Sequence, residues 1–371
     1  MSVMTADASG TPTRSKYDRL IAAAQKVPTV PTVVVHPCDE SSLRGAVEAA
    51  EAGIIRPILV GPAAKIRDTA AQFGLNIAGY DIVDAPHSEA AAAKAVEMIH
   101  AGKGEALMKG SLHTDELMRS VTAKVGGLRT NRRVSHVFIM DVPAYADTVF
   151  VTDAAINIFP DLDGKRDIIQ NAVDLYNQAG FGTMPRVAIL SAVETVTFKI
   201  PSTIDAAALC KMADRGQITG AVLDGPLAFD NAIDLDAARI KGIKSEVAGR
   251  AQILVVPNLE SGNMLAKNLA YFAKADSAGI VLGARVPIVL TDQDLGPARY
   301  FRLDALNPRR VQVDGVIERQ RSVQHGSSDL SAVSHLAQRG SVDSRGYFGG
   351  NCFDHRQDRD PRRGAEASLI V

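Results

Sequence analysis

The densest chemistry in this chain lies at Lys109-Gly110-Ser111-Leu112-His113-Thr114, which follows an apolar run and opens a helical pattern. Gly110 would let a ligand approach the main chain closely. Ser111, Thr114 and the unpaired N–H groups of the helix start form a natural cradle for an anion. Arg119 lies a little further along that helix, and Arg129, Arg132 and Arg133 follow. Such cations and donors suit an anionic ligand. The same residues also describe a capped helix with solvated cations, and His113 alone says little.

Three further groups sit where apolar runs end. Thr152-Asp153-Ala154-Ala155-Ile156-Asn157 puts a carboxylate beside small residues. Asp153 could face a ligand there, or equally close the strand with an Asx turn. In Asp224-Gly225-Pro226-Leu227 the Gly-Pro pair predicts a turn, with Asp224 at a strand's carboxyl end. The fourth, Pro257-Asn258-Leu259-Glu260-Ser261-Gly262-Asn263, joins a strand end to a polar helix start carrying Asn258, Gly262 and Asn263. Small, polar, glycine-bearing groups at successive strand ends point to binding rather than packing.

Other chemistries have no local support. No G-x-G-x-x-G or Walker loop sits on a strand–helix turn. There is no H-E-x-x-H, no clustered Cys/His set and no G-x-S-x-G elbow, so no metal site is expected.

The elements that must position these groups alternate regularly. Strands are predicted at 32–36, 57–61, 82–83, 106–109, 134–140, 149–152, 187–190, 221–224, 252–256, 280–282 and 287–290. Helices are predicted between them, one capped by Ser41 and others near 89–100, 114–121, 167–178, 204–215 and 262–273. This alternation implies parallel sheet covered by helices on both faces. Ligands in such sheets sit beyond the carboxyl ends of the strands. The four groups are therefore expected to wall one crevice, near Ser111, Asp153, Asp224 and Asn258.

Bulk properties narrow the class. A chain of 371 residues is long enough for two domains. The net charge of −1 offers no field for nucleic acid or an anionic membrane. No apolar run approaches membrane-spanning length, and the first residues are polar, which points to a soluble cytoplasmic protein. Three distant cysteines argue against a disulfide framework.

Taken together, the groups resemble the phosphate acetyltransferase/phosphate butyryltransferase family, closest to the branch found in bifunctional enoyl-CoA hydratase/phosphate acetyltransferases. The resemblance is carried by the four groups above and by Lys16-Tyr17-Asp18-Arg19-Leu20, Val35-His36-Pro37-Cys38-Asp39, Leu59-Val60-Gly61-Pro62 and Ser135-His136-Val137-Phe138-Ile139-Met140-Asp141. It covers roughly residues 16–291. It implies reversible transfer of an acetyl or butyryl group between coenzyme A and inorganic phosphate, with CoA as substrate and no further cofactor. It also implies a homodimer and two α/β lobes of mostly parallel sheet with the active-site cleft between them, an isocitrate/isopropylmalate dehydrogenase-like architecture. The first lobe would comprise residues 17–156 plus 278–291, and the second 157–277. Metal-dependent decarboxylating dehydrogenases share that architecture, but Asp153 and Asp224 are too isolated to supply their paired metal ligands. A catalytically inactive CoA-binding or interaction protein is the remaining alternative.

The resemblance stops abruptly. The chain has 14 Lys and 15 Arg before residue 292, then 12 Arg and no Lys. The branch would continue after Thr291 with a Ser-Arg-Ala-Asp-Ser-like motif whose Ser and Arg contact thiol and phosphate, and whose downstream Asp is the base. Here Asp292-Gln293-Asp294-Leu295 stands instead. Residues 292–371 are expected to be translated out of frame or to be disordered. The catalytic residues are left unassigned on this reading.

Overall fold

The computed structural model describes residues 24–290, and the expectations for residues 1–23 and 291–371 lie outside it. The described residues form a single eleven-stranded sheet. Its strands are β1 (Val30–Val35), β2 (Ile55–Gly61), β3 (Asp81–Asp84), β4 (Ala106–Lys109), β5 (Ser135–Asp141), β6 (Val149–Thr152), β7 (Arg186–Leu190), β8 (Val222–Leu227), β9 (Ile253–Val255), β10 (Asp276–Leu282) and β11 (Ile288–Leu290). They lie in the order β3-β2-β1-β4-β11-β10-β5-β6-β9-β7-β8.

Helices cover both faces: α1 (Glu40–Glu51), α2 (Ala63–Phe73), α3 (Ser88–His100), α4 (Thr114–Val121), α5 (Leu162–Gln178), α6 (Pro201–Asp214), α7 (Phe229–Ile233), α8 (Leu235–Ile240) and α9 (Leu259–Tyr271). The cap of α1 is Asp39, which accepts the Ser42 N–H at 2.8 Å, so Ser41 falls inside the helix instead of capping it.

The sheet is parallel on both flanks and antiparallel in the middle. β3, β2, β1, β4 and β11 run one way. β6, β9, β7 and β8 run together. Between them β10 is antiparallel to β11 and β5, and β5 is antiparallel to β6. The two flanks therefore point in opposite directions, and their carboxyl ends leave the sheet at opposite ends.

Alternating side chains serve two faces, as the period of two requires. One face carries a continuous core from Val34 and Leu59 through Val137 and Ile139 to Val187 and Ile253, buried under α1, α5 and α6. On the other face the core divides. Val33, Val35, Leu107 and Ile288 pack with α3 and α4. Met140, Val151, Leu190 and Leu254 pack with α7, α8 and α9.

Candidate functional site

At the first flank, the ends of β1, β4 and β11 lie side by side. Val35 pairs with Lys109, and Val289 with Met108, so Leu290 ends level with Lys109. The Lys109–Thr114 loop is tied to β1 by Gly110 N–H to Val35 O at 2.8 Å and Ser111 N–H to His36 O at 2.9 Å. Gly110 is demanded by this approach: a Cβ there would stand 2.3 Å from Val35 O and 2.6 Å from His36 O, both main-chain atoms that cannot give way. Lys109 is buried beneath the loop, donating from Nζ to Leu112 O at 3.0 Å and Gly110 O at 3.2 Å.

Ser111 is the hub of this end. Its hydroxyl donates to His36 O at 2.8 Å and accepts the Cys38 N–H at 3.1 Å. His36 Nδ1 lies 3.2 Å from Ser111 Oγ and 3.3 Å from Ser111 O. His36 adopts a left-handed backbone, φ 56°, a conformation unusual outside glycine and often kept for function. Burial lowers its pKa, and the nearby Lys65 works the same way, opposed by the Ser111 carbonyl, Glu116 and Asp39. Cys38 is buried and its thiol is pushed up to about 11.

The rest of the first group is less committed. His113 is the N-cap of α4, but its side chain makes no cap bond and is exposed. Thr114 begins the helix. Asp115 and Glu116 occupy the first turn, where they compete with an incoming anion for the helix N-terminus. Glu116 accepts from Ser88 Oγ at 2.6 Å. Arg119 points to solvent, with a side chain 71% exposed and a loose 3.9 Å pair with Asp115.

Asp153 and Asn258 lie at the opposite end, after β6 and β9. Antiparallel β5 and β10 reverse the second flank, so these strand ends leave the sheet opposite those of β1 and β4, while Ile156 of the Asp153 loop packs against the core cluster that holds Leu112 and Met118.

Asp153 there organises its own loop. Buried at 3% exposure, it accepts from the Ala155 and Ile156 N–H groups at 3.0 Å each and from Asn157 Nδ2 at 2.6 Å. Burial raises its pKa, against these same hydrogen bonds. Asn157 Nδ2 also reaches Val134 O at 2.9 Å, and Arg133 donates to Asn157 Oδ1 at 3.4 Å. Asn258 caps α9 in a reciprocal box with Ser261. Gly262 packs on Ala154, whose Cβ would be 2.9 Å from an added methyl, and Asn263 donates to Ala154 O at 3.5 Å.

Asp224 joins neither end. The expected turn at Gly225-Pro226 is corrected: β8 continues through it to Leu227, so Asp224 lies inside the strand, where it accepts its neighbour's N–H at 2.8 Å. β8 is a sheet edge, where proline costs no ladder bond.

Two histidines were not singled out by the sequence reading, although both lie in stretches that carry the resemblance. His36 faces Ser111, 75 residues away, which periodicity does not reveal. His136 is fully buried, its ring edge-on to Phe138 at 4.4 Å, with Nδ1 unpartnered and its pKa pushed down to about 3 by burial. Among the described residues no group of three or more His, Cys, Asp or Glu could hold a metal ion. No described helix is long and apolar enough to cross a membrane.

Comparison with known proteins gives one consistent result. The family model described as Phosphate acetyl/butaryl transferase matches residues 88–295. A phosphate acetyltransferase from Rhizobium meliloti is 71% identical over 279 residues, 75% of this chain and 88% of that protein. A phosphate butyryltransferase from Clostridium beijerinckii is 40% identical over 277 residues, 75% of this chain and 91% of that protein. A branched-chain phosphotransacylase from Enterococcus faecalis V583 superposes with a TM-score of 0.65 at 26% identity, covering 76% of this chain and 99% of that one. On the extent and level of this identity, the chain belongs to the phosphate acetyl/butyryl transferase family.

Proposed function

We propose that this chain is a phosphate acyltransferase that moves an acyl group between coenzyme A and inorganic phosphate. The observation that carries the reading is the 71% identity to a phosphate acetyltransferase over three quarters of the chain. Acetyl is the group this reading favours, because phosphate acetyltransferases reach 54% to 71% identity and the butyryltransferases stand at 40% to 43%.

The chemistry belongs at the first sheet end. Ser111 and Thr114 lie at the start of α4, where N–H groups favour an anion, and Arg119 swings in from the helix surface to meet phosphate. His113 contacts the acyl phosphate from its exposed position. Main-chain donors of the loop stabilise charge on the carbonyl oxygen, and binding both substrates side by side supplies most of the acceleration. Asp153, Asn258, Gly262 and Asn263 build the frame at the other end, within reach of a substrate as extended as coenzyme A. Asp224 is a weaker candidate for that reach. Residues 17–156 with 278–291 form one lobe and 157–277 the other, joined by the shared sheet. The working unit is a cytoplasmic homodimer, and no metal takes part.

The replaced stretch after Thr291 limits the rate, since the Ser-Arg pair of the family pattern has no counterpart. Release of free thiol from acetyl-CoA or butyryl-CoA in the presence of phosphate tests the reading. Phosphate-dependent release, faster with acetyl-CoA, is expected. Tight CoA binding with no release in either direction would sink the enzyme and leave a binding protein.

A further inference from the structure

We propose that His36 is the proton carrier of this reaction, taking the thiol proton of coenzyme A on Nε2 as sulfur attacks the acyl carbon. The inference rests on the phosphate acyltransferase reading and names a residue for its unassigned base.

Position comes first. His36 sits at the carboxyl end of β1, between the ends of β2 and β4, where ligands of a parallel sheet gather. Two glycines make room for it. A Cβ on Gly61 would stand 3.3 Å from His36 Cα and 3.6 Å from Cδ2, and Gly110 closes on its carbonyl from the other side. β11 ends one strand beyond β4, level with Lys109.

The tautomer follows from Ser111. A carbonyl oxygen only accepts, so the 3.3 Å approach of His36 Nδ1 to Ser111 O requires hydrogen on Nδ1. The Ser111 hydroxyl is already committed to His36 O. The neutral ring therefore carries its lone pair on Nε2, which has no partner among the described residues and belongs to a half-buried side chain. The charged groups around the ring are Lys65 on α2, Glu116 on α4 and Asp39 before α1. Burial outweighs the two carboxylates and keeps the ring below its ordinary pKa, hence neutral near pH 7. Cys38 beside it stays protonated and offers no competing base.

The step balances. Toward the thioester, the sulfur–carbon bond forms and the bond from the acyl carbon to the phosphate oxygen breaks, phosphate leaving with the electron pair. The proton passes from sulfur to Nε2 and on to that phosphate oxygen, so the ring ends neutral. The reverse reaction returns it from phosphate to the departing thiolate.

The test is His36→Asn, whose side-chain amide keeps a donor near the Nδ1 position and lacks Nε2. Thiol release and its reverse are followed against pH in both proteins. In the parent chain kcat/KM should fall on the acid side as the ring is protonated. The variant should lose that limb and about 10²- to 10⁴-fold in kcat, with KM for CoA held within about threefold. A variant that keeps its rate and its acid limb overturns the proposal. A parallel measurement needs no turnover: the histidine ¹⁵N spectrum of the parent chain, titrated with CoA and with desulfo-CoA. His36 Nε2 should respond to the thiol and much less to the analogue lacking it, and an equal or absent response overturns the proposal. Failure of CoA to bind at all would overturn the function reading beneath it, and the proposal with it.

Discussion

The two ends of the sheet look alike in sequence and differ in what their polar atoms have left to give. Each offers small residues, a glycine and a hydroxyl or carboxylate after a strand. At the β6–β9 end these atoms are consumed internally: Asp153 holds its loop, Asn157 ties it to Val134, and Asn258 caps α9. At the β1–β4 end Ser111 is also fully engaged, yet its engagement orients His36 and leaves Nε2 open. Residue type at a strand end does not separate site from frame; unspent bonding capacity does.

The sharpest way to break this comparison is Gly110→Ala. The added methyl meets two main-chain oxygens, so the loop must move by about an ångström. A displacement of that size costs about 10²-fold in kcat/KM, measured by thiol release on protein whose circular dichroism is unchanged. An unaffected rate would remove the Ser111 loop from the site.

Two predictions of a few kcal/mol concern the other end. Asp153→Ala orphans the Ala155 and Ile156 N–H groups and the Asn157 amide. It should cost about 3 kcal/mol in urea unfolding, while KM for CoA in the remaining folded protein stays put. A large rise in KM would move Asp153 from frame to site. His136 supplies a pH dependence. Its folded pKa of about 3 lies below the ordinary 6.5, so the unfolded chain binds the proton more readily. The stability it permits is complete above 6.5 and is lost as pH falls toward 3, about 3 kcal/mol by pH 4. His136→Leu should flatten that slope; an unaltered slope would show that other groups govern acid unfolding.

Smaller effects sharpen the contrast. Asn258→Ala removes the α9 cap and should cost about 1 kcal/mol, with kcat unchanged. Arg119→Ala should shift stability by less than about 0.5 kcal/mol, given its exposed pairing. The same variant should raise KM for phosphate, and an unchanged KM would leave Arg119 a surface residue.

Much of the frame was legible because its signals are local. The helix at 114–121 and the strands at 106–109 and 149–152 follow directly from apolar period and flanking turns. The short helices α7 and α8 were missed, being too brief for a period to emerge. β8 was cut short at Asp224 because Gly-Pro reads as a turn unless the strand is known to be an edge. Strand direction was the costliest omission. Nothing local in Val137 or Ile280 says that β5 and β10 oppose their neighbours, yet that reversal decides which strand ends share a surface. The pairing of His36 with Ser111 was hidden for the same reason, since it depends on β1 lying beside β4.

The unbroken sheet also has a mechanical consequence. Because β5, β6 and β10 stitch the flanks together through antiparallel ladders, the flanks cannot swing apart on a flexible joint without tearing main-chain hydrogen bonds. Opening and closing around a substrate would have to be absorbed as torsion of these few central strands.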